Sequence, residues 1–317
     1  MFFYTQAKAP RRGVFTLIAV FILPVAMAHA QAAAPFAPPS ADDVVLYRDA
    51  TLIEDGASRA NMDVLVAGER IRAVYADSAA TPEPALAARA RIVDLHGLYL
   101  IPGLVDSHVH MATPPNQRQA AAMLRRDLYG GVTTVRDMAD DLRAVGELTR
   151  ESRIGEIAAP DIFYAALMAG PDFFSDPRTA QTSAGGVLGH VPWMQAVSPD
   201  TDLPIAVAMA HGTYATAIKL YADLTPDMAR RITAEAHRQG MLVWAHATLF
   251  PAAPSDVVGA GVDAISHACL LTREGPTPAP TWANAHSRAD LRPFQSGHNP
   301  ALARLFPVLR RVPSIAN

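Results

Sequence analysis

The sequence predicts an α/β fold in which βα units surround a parallel sheet, with a small all-β module ahead of them. Three observations carry this prediction. From Gly97 to about His267, apolar strand-like runs alternate with amphipathic helical stretches, the rhythm of parallel βα architecture. Before Gly97 there are only short β-like runs broken by turn residues. The chain has 317 residues, 50% of them hydrophobic, enough for a buried core in one large unit and one smaller one.

Residues 1–30 read as a secretory signal. Lys8, Arg11 and Arg12 precede an apolar run from Val14 to Met27, and Ala28-His29-Ala30 forms a small-x-small cleavage site. A membrane anchor is the competing reading, but the run contains Pro24 and falls short of the roughly 20 residues a spanning helix needs. The expected location is the periplasm or the cell exterior, with no membrane contact after cleavage. Cleavage removes three positive charges and takes the formal net charge from −3 to −6, so nothing suggests a nucleic-acid partner. Cys269 is the only cysteine, which excludes an internal disulfide.

Residues 31–43, rich in Pro and Ala and without periodicity, read as a linker. The β module is expected over 44–97, with strand-like runs at Val44–Tyr47, Ala50–Ile53, Met62–Ala67, Ile71–Tyr75 and Arg91–Leu95, and turns at Asp55-Gly56 and Gly68-Glu69. The Ala/Pro-rich stretch Ala79–Ala90 reads as a surface excursion.

The large unit is expected over 98–317. Six strand positions follow from the rhythm: Leu100–Asp106, Val132–Arg136, Asp161–Ala166, Ala217–Tyr221, Met241–His246 and Ala264–His267. Helices are expected at Gln117–Tyr129, Leu142–Arg150 and Pro226–Gln239, the last with Thr225 as N-cap. Between Gly170 and His211 the text is rich in Gly, Pro, Ser and Asp and reads as a long loop over a site. Another loop-like stretch follows Thr272, ahead of a helical piece at Pro300–Arg311.

Strand ends carry the chemistry. His108 and His110 are two apart at the end of an apolar strand, so both imidazoles face one side and can share a divalent metal. Asp106 is a candidate carboxylate to orient them. Lys219 is the only lysine outside the signal segment, in a chain with 27 Lys plus Arg. Strand alternation in Ala217-Ile218-Lys219-Leu220-Tyr221 puts Lys219 and Tyr221 on the face opposite Ile218 and Leu220. A buried lysine is costly unless neutralised or paired, and its amine, unlike a guanidinium, can be carboxylated. A snorkelling lysine at a strand end is the bland alternative. His246 and His267 close the next two strands, 27 and 21 residues on, about one βα unit each. All these residues then share one rim, where the functional residues of (β/α) barrels gather. Tyr221 reads equally as a substrate contact or as a structural hydroxyl. Arg136 ends the second strand and is a candidate partner for a rim carboxylate. His237 reads as a packing or surface residue, and His190, His211, His286 and His298 as solvated loop residues.

The motifs LYLIPGLVDSHVH, GVTTVRDM, AIKLYADLT, GMLVWAHA and GVDAISHA resemble the amidohydrolase superfamily, in particular its imidazolonepropionase-like and dipeptidase-like branch, over about Val44 to Leu271. The resemblance implies a partial (β/α)8 TIM-type barrel, about six of eight strands, with a small N-terminal β-sandwich module. It implies His108 and His110 on a first metal, Lys219 as a carboxylated bridge, and His246 and His267 on a second, with Lys219, His246 and His267 catalytic. One or two divalent ions, Zn2+ foremost, would activate a hydroxide that hydrolyses an amide, peptide or cyclic-amide C–N bond of a small molecule or short peptide. Homo-oligomers are compatible with this reading. The family pattern also has an aspartate at the eighth strand as metal ligand and base. After His267 the sequence offers only Asp290, in a polar segment unlike a barrel strand. Two alternatives therefore stand beside the hydrolase: a truncated, non-catalytic remnant, and a mononuclear deaminase of the same architecture.

Overall fold

The computed structural model describes residues 40, 42–275, 292 and 300–309. The segment read as a secretory signal, most of the expected linker, and His286, Asp290 and His298 lie outside the described residues. No helix among the described residues is long and apolar enough to cross a membrane.

The first sheet is built by β1 (Val44–Glu54), β2 (Ala57–Ala67), β3 (Arg70–Ala76), β4 (Arg91–Asp94) and β5 (Tyr99–Leu100), in the order β3-β2-β1-β4, with β5 also on β1. The β1–β2 turn falls at Asp55-Gly56, both at positive φ, as tight hairpin turns require. Val44, Leu46 and Leu65 form its buried apolar face. The Ala79–Ala90 excursion contains one short helix, α1 (Pro84–Ala87). The described residues of this module form one five-stranded sheet.

Six parallel strands follow: β6 (Leu104–Val109), β7 (Val132–Asp137), β8 (Asp161–Ala169), β11 (Ala217–Leu220), β12 (Leu242–His246) and β13 (Ala264–Ser266). They pair in sequence order, each parallel to the next, which is the partial barrel the sequence predicts. All four residues of β11 are buried, as expected of a strand covered on both faces. The outer helices are α2 (Gln117–Tyr129), α3 (Leu142–Arg153), α5 (Leu203–His211), α6 (Pro226–Arg238) and α7 (Pro254–Gly259). Each buries one apolar stripe, for instance Val145 and Leu148 of α3 and Ile232 and Ala236 of α6. At the N-terminus of α6, Thr225 accepts a hydrogen bond from the Met228 amide at 3.2 Å, as its N-cap position predicts. A final helix, α8 (Pro300–Leu309), buries Leu302 and Leu305 in the same core.

Residues 170–211 are more structured than the expected loop. They hold a 3-10 turn (Pro171–Ser175), α4 (Pro177–Thr182), the paired β9 (His190–Val191) and β10 (Met194–Ala196), and α5. The reason lies in β8, which is longer than its neighbours. Its first half pairs with β7, and its end, Leu167–Ala169, projects further and pairs with β10. The backbone groups beyond the reach of β7 thus find partners within the insert.

Candidate functional site

Strand direction and curvature bring the strand-terminal side chains together at one rim. His108, near the end of the first barrel strand, and His267, just after the last, have ring centroids 4.5 Å apart. His246 is also 4.5 Å from His267, and His110 is 5.4 Å from His108. Lys219 lies fully buried below this rim. Its side-chain nitrogen has no hydrogen-bond partner among the described residues. Burial, and then the positive charge of Arg136, lower its pKa to about 7. His108 is brought down to about 3 and His267 to about 4, by burial first and then by Lys219, and His246 is pushed well down for the same reasons. Three imidazoles are therefore neutral at neutral pH, the state in which a ring nitrogen can donate to a metal.

The five predicted ligands are thus neighbours. The rings stand edge to face, and among the described residues no group of three His, Cys, Asp or Glu side chains converges on a common ion position. The donor chemistry nevertheless fits one or two divalent cations. Four imidazoles cluster at the rim, three of them close enough to feel the charge of a buried lysine that has no hydrogen-bond partner among the described residues, and imidazole suits zinc and its neighbours. His267 adds a backbone signal: it occupies the left-handed region at φ 64, a conformation that costs a non-glycine residue roughly 1–2 kcal/mol and that clusters at functional sites.

The carboxylate expected to orient the pair at β6 is not the one that does so. Asp106 accepts from the backbone amide of His108 at 3.1 Å, a local turn contact that leaves the rings alone. Asp140 takes the role instead. Fully buried, it accepts from Nδ1 of His110 at 2.9 Å, and also from the Thr113 hydroxyl and the Ala112 amide. Burial works to raise its pKa, but these hydrogen bonds hold it below the usual carboxylate range. Asp137, three residues earlier, is pushed well above that range by burial and then by Asp140. With Nδ1–H on Asp140, His110 keeps Nε2 as its free lone pair.

Other candidates sort by contact. Tyr221 lies against His246 with centroids 4.1 Å apart and against Phe173 at 4.4 Å, and it lines a pocket with His110. Arg136 donates from Nε to the Ser107 carbonyl at 3.2 Å and stacks over Trp244 at 4.9 Å, in place of the rim carboxylate expected for it. His237 hydrogen-bonds Asp263 at 2.9 Å on the outer surface, and His190 and His211 are exposed, away from the cluster.

A model of the amidohydrolase family matches residues 99–281, well over half of the chain and every motif of the rim. The chain belongs to the amidohydrolase family. Among curated proteins this amidohydrolase is similar to the D-hydantoinase of Streptomyces coelicolor, 35% identical over 104 residues, which make up 32% of this chain and 21% of that protein. It is also similar to the adenine deaminase of Lactobacillus delbrueckii subsp. bulgaricus, 32% identical over 104 residues, 32% of this chain and 17% of that one. A solved Xaa-Pro dipeptidase with bound methionine shares the fold at a TM-score of 0.58 and 21% identity, covering 72% of this chain and 62% of that one. The amidohydrolase thus aligns with about one fifth of the curated relatives' length and with less than two thirds of the solved one.

Proposed function

We propose that this amidohydrolase cleaves an amide, peptide or cyclic-amide C–N bond at the barrel rim, after export, with His108, His110, Lys219, His246 and His267 holding one or two divalent cations, zinc foremost. The observation that carries this reading is the clustering of four imidazole rings from three strand ends, with successive centroids 4.5–5.4 Å apart, beside a buried lysine whose nitrogen has no hydrogen-bond partner among the described residues. Bound there, a divalent cation supplies Lewis acidity toward a carbonyl oxygen and acidity to a water.

The chain's own residues prepare that chemistry. His108, His246 and His267 are neutral and present lone pairs. Asp140 fixes the ring of His110 so that Nε2 remains available. Lys219 is the one amine in the cluster. Addition of its nitrogen to carbon dioxide, with loss of one proton, gives a carbamate whose charge would balance Arg136 and serve as an oxygen ligand. Tyr221 walls the substrate side. No carboxylate lines either cavity beside the imidazoles, so the described site contains the ligands without the acidic base that the family pattern calls for. We assign the catalytic work to Lys219, His246 and His267.

The test is hydrolysis of N-acyl amino acids, dipeptides and cyclic imides by the full chain, with added zinc and with a chelator. Zinc-dependent turnover that a chelator abolishes is expected. Metal retention without turnover on any of these classes would instead mark a non-catalytic metal-binding chain.

A further inference from the structure

We infer that Arg178 makes this site select substrates with a free carboxylate beside an apolar side chain, of the N-acyl-α-amino-acid or dipeptide kind; this rests on the hydrolase reading above. A pocket of about 260 Å³ adjoins His110 and Tyr221. Leu167, Phe173 and Met194 give it an apolar wall, and Arg178 is the only charged side chain among its lining residues apart from the titratable His110. A cationic group entering it would meet a guanidinium and no acid, whereas an apolar group with an acidic end finds both of its needs met.

The guanidinium is held in place before any ligand arrives. Its Nε donates to Asp176 at 3.0 Å and its Nη2 at 2.6 Å, a two-point fork that fixes the plane. Asp176 is itself anchored as the N-cap of α4, accepting from the Arg178 amide at 3.0 Å. Nη2 also donates to the Tyr221 hydroxyl at 3.3 Å, which leaves the phenolic hydrogen free to donate onward. The remaining nitrogen, Nη1, has no partner among the described residues, and the side chain is 59% exposed. Nη1 and the phenolic hydrogen are therefore the donors left to a ligand in the pocket that Arg178 and Tyr221 both line, at small ordering cost because the guanidinium plane is already fixed.

The tyrosine ring spans the interval from this edge to His246. A group held by Arg178 thus sits one phenol length from the imidazoles, which suits a carboxylate a few bonds from the scissile amide. Asp176 cancels the net charge of the guanidinium at long range, so discrimination comes from short, directed hydrogen bonds.

The test is calorimetric binding of N-acetyl-L-leucine and its uncharged amide, N-acetyl-L-leucinamide, to the full chain and to Arg178→Gln and Arg178→Lys. The acid is expected to bind at least about tenfold more tightly than the amide to the native chain. Arg178→Gln should erase the difference, and Arg178→Lys, which keeps the charge but loses the fork, should retain part of it. Unchanged melting of the variants confirms that they fold. Equal affinity for acid and amide, a preference that survives Arg178→Gln, or no binding of either compound overturns the inference. Carboxylate-dependent binding without hydrolysis counts against the hydrolase reading alone, and hydrolysis indifferent to the carboxylate counts against this inference alone.

Discussion

His110 owes its orientation to a carboxylate that no spacing rule in the sequence singles out. The segment Asp137-Met138-Ala139-Asp140-Asp141 offers three acids within five residues, and only the fold decides that Asp140 meets the imidazole while Asp141 turns out to cap α3. Asp106 looked better placed because it is two residues from His108 and shares its strand face, but the strand register shifts between Asp106 and Val109, and the Asp106 carboxylate is taken by the His108 backbone amide. The ligand candidates were legible for the opposite reason: they close apolar strands at intervals of one βα unit, and that register survives folding. Asp140→Asn keeps the shape but weakens the hold on Nδ1–H of His110. The expected result is a 10–100-fold loss of zinc affinity in a competition titration, with little change in helix content by circular dichroism; unchanged affinity would show that the contact does not tune the site.

At the scale of elements, strands and amphipathic helices were readable from period and caps, and the insert between β8 and β11 was not. Within it, α5 has the sequence LPIAVAMAH, apolar all round, so it lacks the polar face that marks a surface helix. Its remaining signal is Asp202, whose side chain accepts from the Ile205 amide at 3.2 Å, followed by Pro204 in the first turn. The insert also carries Arg178 and Phe173, so the part of the site proposed to meet substrate was the part hidden from periodicity. It is fastened at Asp223, which accepts from the Asp172 amide at 2.9 Å and lies so close to Gly170 that a Cβ there would stand 1.9 Å from the Asp223 carbonyl oxygen. Backbone on backbone cannot yield as a flexible side chain can. Gly170→Ala is therefore expected to cost about 1–3 kcal/mol in urea unfolding; a loss below about 0.5 kcal/mol would mean that the insert shifts freely.

For the whole molecule, the open side of the barrel sets the character of the site. The strands β6 and β13 are each paired on one side only among the described residues, yet the sheet curls enough to bring His108 and His267 into contact. Beside them lies a cavity of about 640 Å³ lined by Arg136, Leu271 and Phe306 among others. Six-strand α/β architecture was legible because each βα unit declares itself locally. How far the sheet curls was not, because it depends on the twist summed over all strands. The central claim is that this rim holds metal. The most direct measurement is the zinc content of the full chain after metal-replete expression and desalting, compared with His108→Ala and His246→Ala. The account predicts about one or two ions per chain in the native protein and loss of at least one in each variant. A native chain without bound metal, or variants that keep the native content, would contradict it.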